Sequence, residues 1–266
     1  RTISFTLVFI SGLFLISCGD DSQATQVPGN EATDMIPVPT LPPPENLLQT
    51  ENPWIQWYDE RYELESVDSF LTNNRGDGYD DLYGTRNMRK IFDGILYRGG
   101  GNNYYHKTDK RDNRNPLPPD GLQNLCEEGF GTSIYLYTTN YDTAEKITRC
   151  ASDRKPKNEM VYLNLQPRKT EQMKTILKLV FENIQDFRHG PIYAHCWNGW
   201  HASGQVGAYA LKQFCGWSGE DALDYWLRNA VGGEKDNYKG IRRRIVEFEP
   251  YEEFLISAEQ SEKICP

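Results

Sequence analysis

Between residues 94 and 254 the hydrophobic positions switch repeatedly between short runs and helical stripes. Gly94-Ile95-Leu96-Tyr97-Arg98-Gly99-Gly100 predicts a short strand entering a glycine loop. Pro118-Pro119-Asp120 then opens a helix with Leu122, Leu125 and Cys126 on one face, and Gly129 and Gly131 stop it. Residues 132–137 and 160–165 are apolar runs of strand length. Thr170 is the expected cap of a long helix whose stripe is Met173, Ile176, Leu177, Val180 and Ile184. Pro191-Ile192-Tyr193-Ala194 is a strand of the fully buried kind. Helical spacing returns over 203–214, after Ser218 to about residue 231, and over 238–254. This order predicts an α/β fold, a central, mainly parallel sheet flanked by helices. Ligands of such sheets sit beyond the carboxyl ends of the strands, where residues 194–204 fall.

The first 53 residues read differently. Residues 3–17 form an apolar run of about 15 residues, short of the ~20 a spanning helix needs, and suit a secretory signal. With no Met before Arg1, part of that signal is expected to precede this sequence. Leu15-Ile16-Ser17-Cys18 resembles the bacterial lipobox, which implies lipidation of Cys18 and a lipid-anchored protein of the cell envelope, at the outer membrane. Residues 19–53 hold seven of the 15 prolines and suit a tether. Residues 54–266 then make one domain.

A formal charge of −9 argues against nucleic acid as a partner, leaving the lipid anchor as the expected membrane contact. With Cys18 lipidated and Cys196 set apart, Cys126, Cys150, Cys215 and Cys265 remain for two disulfides. Three pairings are open, and nearest neighbours in sequence favour Cys126 with Cys150 and Cys215 with Cys265. Residues 73–81, NNRGDGYDD, lack calcium-loop spacing and read as a turn, and His106 reads as a loop residue.

The chemistry concentrates in Ala194-His195-Cys196-Trp197-Asn198-Gly199-Trp200-His201-Ala202-Ser203-Gly204. A loop from a strand end into a helix N-terminus aims backbone N–H groups at one spot, and the helix dipole adds positive potential there. A thiol held in such a ring is stabilised as the nucleophilic thiolate. Cys196 is therefore the expected nucleophile. His195 orients the loop, Gly199 lets backbone approach the bound oxygens, and the Ser203 hydroxyl donates to the sulfur as it departs. Trp197, Asn198, Trp200, His201, Ala202 and Gly204 complete the binding wall, with Arg98 as a cation able to reach it.

This stretch resembles the His-Cys-x-x-Gly-x-x-Arg-Ser/Thr-Gly signature of the cysteine-based protein tyrosine and dual-specificity phosphatases, matching five of six fixed positions. ILYRGG (95–100) and GLQNLCEEGFGTSIYLY (121–137) resemble that family's first strand and its helix-glycine-strand unit. The resemblance implies a phosphocysteine intermediate, no metal or other cofactor, an aspartic general acid upstream, and a phosphorylated or otherwise anionic small molecule or protein as substrate.

Two departures matter. Ala202 stands where the family has its arginine, and losing a two-pronged charged contact costs about 3–6 kcal/mol. The segment expected to hold the acid, residues 164–169, has no carboxylate before Glu171, which costs a further ~10²–10⁴ in rate. Uncompensated, both losses leave a turnover on the order of 10⁻³ s⁻¹ or less. Compensation can come from His201, Arg98, Arg168 or Arg242 to Arg244 for the cation, and from Glu171 or an aspartate of residues 107–112 for the acid. The alternatives are an inactive or weak pseudophosphatase that binds an anion or other ligand, and a metal site of His195, Cys196 and His201.

Overall fold

In the computed structural model, six strands form one sheet: β1 (Gly84–Phe92), β2 (Leu96–Asn103), β3 (Thr132–Tyr135), β4 (Ile147–Cys150), β5 (Asn158–Asn164) and β6 (Ile192–Cys196). The structure describes residues 52–103, 116–153 and 155–266. The signal, Cys18, tether residues 19–51, His106 and the 107–112 aspartates lie outside them.

The spatial order is β1-β2-β6-β3-β5-β4. β2, β6, β3 and β5 run parallel, and β1 and β4 close the two edges antiparallel. β6 is thus a central strand buried along its whole length, as a parallel strand with both faces covered must be.

Seven helices are described: α1 (Pro53–Tyr62), α2 (Pro119–Glu127), α3 (Thr170–Gln185), α4 (His201–Cys215), α5 (Gly219–Asn229), α6 (Lys239–Glu247) and α7 (Ala258–Ile264). The period of two along each strand sorts side chains between two cores. Ile192, Ala194 and Cys196 join Leu96, Ile134 and the apolar sides of α3 to α6. Tyr193, Tyr97, Tyr135 and Tyr162 join Tyr58 and Tyr62 of α1 and Leu122 and Leu125 of α2 in an aromatic core on the other face.

Both disulfides take the nearest-neighbour pairing: Cys126–Cys150 ties α2 to β4, and Cys215–Cys265 ties the end of α4 to the residue after α7. Ser218 caps α5 by accepting from the Asp221 N–H.

Several boundaries differ from the sequence expectation. Thr170 is the first helical residue of α3, and its cap, Lys169, makes no side-chain cap bond. The 238–254 helix ends at Glu247, where Phe248 turns extended; Pro250 has no N–H to offer the Val246 carbonyl, which Lys212 bonds instead at 2.9 Å. The strand expected from Gly94 starts at Leu96, since Gly94, at φ +66°, belongs to the β1–β2 turn. Pro53, counted with the tether, is the opening residue of α1, whose cap Asn52 accepts from the Trp54 N–H at 2.9 Å.

Candidate functional site

β6 ends on Cys196, and after four intervening residues α4 begins at His201. Cys196 is 3% exposed and carries a free thiol, the one such thiol among the described residues. Its sulfur lies 3.5 Å from the Ser203 hydroxyl. Trp200 occupies the cap position of α4 without a side-chain cap bond, and the first turn holds no acid. The opening N–H groups of α4 are therefore neither capped by that side chain nor faced by a first-turn carboxylate.

The loop is held from behind by the β1–β2 hairpin. Asn87 donates from Nδ2 to the Asn198 carbonyl at 2.6 Å, and Arg98 donates from Nη1 to the Gly199 carbonyl at 2.6 Å. Peptide planarity then points the Gly199 and Trp200 N–H groups the opposite way, away from the hairpin. Gly199 sits at φ +75°, and a Cβ there would come within 2.6 Å of the Gly100 nitrogen. A Cβ on Gly100 would in turn meet the Asn198 carbonyl carbon at 2.7 Å. Two glycines facing each other let the loop lie directly on β2.

His195 points to the opposite face of the sheet. It is fully buried, and its ring stacks on Tyr135, Tyr162 and Tyr193 at 5.2–5.7 Å. The Tyr162 hydroxyl accepts from the Leu117 N–H at 3.0 Å and meets His195 Nε2 at 2.7 Å. Nδ1 approaches the Cys196 carbonyl, which can only accept, at 3.3 Å, so the neutral ring is assigned its proton on Nδ1 and the Tyr162 hydroxyl donates to Nε2. Burial pushes the His195 imidazole down to about 3, so it is neutral at physiological pH. The aromatic face thus fixes the strand end that carries the thiol.

The other loop residues are placed as follows. Trp197 donates from Nε1 to the Tyr135 hydroxyl at 3.1 Å and stacks on Tyr137 at 4.9 Å, so much of its ring is spent on packing. Burial pushes that Tyr135 hydroxyl up to about 12. His201 turns outward from the loop: Nε2 lies 3.0 Å from the Val231 carbonyl and the ring stacks on Tyr238 at 3.8 Å. Burial lowers its pKa, so His201 does not serve as the missing cation. These commitments also send the His195 and His201 rings to different neighbours, against a shared metal. Ala202 is 8% exposed, and a Cβ on Gly204 would meet the Trp226 ring at 3.0 Å.

Of the other cations, Arg168 is exposed and bonds Gln166 at 3.2 Å. Arg242 donates to the Gly233 and Lys235 carbonyls, and Arg243 pairs with Glu247 at 3.7 Å. Glu171 is exposed in the first turn of α3. Arg98, fully buried, is a cation bonded directly to the loop. Sequence reasoning missed Asn87, whose φ of +47° is a conformation asparagine tolerates, and Tyr225, whose hydroxyl accepts from Arg98 Nε at 2.9 Å.

No protein-family model matches the chain, and no curated protein matches it. Solved structures resemble it in part. TpbA of P. aeruginosa is 17% identical, with 60% of this chain and 82% of that chain covered and a TM-score of 0.36. The core catalytic domain of the PP-IP phosphatase SIW14 of S. cerevisiae, in complex with citrate, is 12% identical over 68% of this chain and 89% of that one, TM-score 0.39. The PTP-2 phosphatase of Cydia pomonella is 11% identical over 60% and 88%, TM-score 0.36. At such identities and scores the functional reading rests on the site itself.

Proposed function

We propose that this chain is a cysteine-dependent phosphoester hydrolase of the tyrosine and dual-specificity phosphatase kind, with Cys196 as nucleophile and Ser203 as its hydroxyl partner. The observation that carries the reading is the free Cys196 thiol at the end of a central parallel strand, 3.5 Å from Ser203 and followed by a glycine turn into an uncapped helix. The Cys196 sulfur attacks phosphorus, the bond to the leaving oxygen breaks, and that oxygen takes a proton from water. Water then hydrolyses the phosphocysteine, releasing inorganic phosphate and returning the thiol, while Ser203 donates to the departing sulfur. His195 holds the loop without exchanging protons. Trp197, Asn198, Gly199, Trp200, Ala202 and Gly204 surround the phosphoryl oxygens.

Ala202 favours slow turnover, and in the limit an anion-binding protein. The two readings part in one assay: turnover of phosphotyrosine, phosphoserine and inositol phosphates by wild type, Cys196→Ser and Ala202→Arg. A hydrolase shows measurable turnover abolished by Cys196→Ser and raised at least about tenfold by Ala202→Arg. Stabilisation by phosphate with no turnover in any variant supports the binder.

On the sequence alone, we place the domain in the bacterial cell envelope, anchored through a lipidated Cys18 and spaced by residues 19–53. Palmitate labelling of wild type and Cys18→Ser tests the anchor.

A further inference from the structure

Arg98 is fully buried, and its partners are neutral: the Tyr225 hydroxyl at Nε and the Gly199 carbonyl at Nη1. Its Nη2 has no hydrogen-bond partner. No carboxylate among the described residues pairs with it. A guanidinium taken out of water without a counter-charge is costly, so a buried one lacking an acid marks a place where an anion is missing.

The guanidinium lies beneath the start of α4. Nη1 reaches the Gly199 carbonyl on one side and is 3.9 Å from the Cβ position of Gly204 on the other. A second buried cation makes the region more positive. Arg89 stands opposite Arg98 in the β1–β2 ladder, is 4% exposed, and donates to the Asn87 carbonyl at 3.1 Å. Burial first, and then the charge of Arg98, push Arg89 down to about 9. Arg98 pairs with Ala194 in the β2–β6 ladder, and Cys196, two residues on, faces the same side of the sheet as Ala194.

We propose that Arg98 supplies from beneath the loop the positive charge that an arginine at position 202 would bring from within it, and that an oxyanion bound at Cys196 is its counter-ion. Arg98 is then a positioning residue. It turns the Gly199 carbonyl inward to the hairpin, frees the following N–H for the ligand, and sets the sign of the potential under the nest. This explains how residue 202 can be alanine while the rest of the loop is retained. The inference rests on the phosphoester reading of Cys196.

The test is the affinity of the folded chain for inorganic phosphate, read as thermal stabilisation across a phosphate titration, in wild type, Arg98→Lys and Arg98→Gln. Far-UV circular dichroism and the melting temperature without phosphate are recorded for each. Arg98→Lys keeps the charge but cannot bond Tyr225 and Gly199 together, and is expected to bind about tenfold more weakly; Arg98→Gln loses the charge and is expected to bind about a hundredfold more weakly. A merely structural role lowers the phosphate-free melting temperature without producing this order. Either variant, folded and binding phosphate as wild type does, overturns the inference, so Arg98→Lys decides alone if Arg98→Gln does not fold. Wild type that fails to bind phosphate at all overturns instead the reading of the Cys196 loop on which the inference stands.

Discussion

The Ser203 hydroxyl stands 3.5 Å from the Cys196 sulfur, joined across the turn from β6 into the first turn of α4. Both side chains are buried, at 0% and 3% exposure, so the contact is shielded from competing water. A hydrogen bond to a charged group is worth about 1.5–3 kcal/mol, which corresponds to about ten- to a hundredfold in rate. Ser203→Ala is therefore expected to slow regeneration of the thiol by that factor while leaving alkylation of Cys196 intact. Pre-steady-state kinetics with an aryl phosphate reads this as a larger burst relative to a slower steady state. An unchanged steady state with no burst counts against the role.

Acidification probes His195. Its folded-state pKa is depressed to about 3 by burial, below the ordinary 6.5, so the neutral form is the one the fold accepts. A group depressed in the folded state contributes stability that is fully present above pH 6.5 and is lost as the pH falls toward 3. The slope approaches about 1.4 kcal/mol per pH unit across that window. Urea melts of wild type and His195→Gln at pH 7, 5 and 4 are expected to converge as the pH falls. Parallel pH dependence in the two proteins contradicts the buried neutral ring.

How much of this was readable from the chain depends on which residues carried the signal. β6 and α4 were legible because Ile192-Tyr193-Ala194 is a continuous apolar run and the glycines after Cys196 punctuate it. β1 was not: Arg86 and Arg89 look like solvent-facing residues, yet both are buried, and register shifts against β2 break the alternation. β4 is four residues at an edge, too short for a periodic signal. Arg98 was legible as a cation near the motif, but not that it grips the Gly199 carbonyl from behind, because that depends on β2 pairing with β6. His201 looked like a substitute cation by its place in the sequence, and the helix rotates it instead onto Val231 and Tyr238.

The disulfides bear on stability at the site through α4. Cys215–Cys265 closes a separation of 50 residues from the far end of the helix that begins at His201. Loop-closure entropy assigns such a link about 4 kcal/mol, on the chain-entropy account. Cys215→Ser with Cys265→Ser is expected to lower the unfolding free energy by about that amount in denaturant titrations. A loss below about 1 kcal/mol contradicts a stabilising link.

The central claim, that Cys196 is a nucleophile seated in an anion nest, meets its most direct test in timed alkylation. Iodoacetamide is applied at pH 7 to the oxidised full chain with and without inorganic phosphate, and the modified residue is identified by peptide mass spectrometry. The account predicts carboxamidomethylation at Cys196 faster than that of free cysteine, slowed by phosphate in proportion to its occupancy. Alkylation no faster than free cysteine and indifferent to phosphate contradicts it.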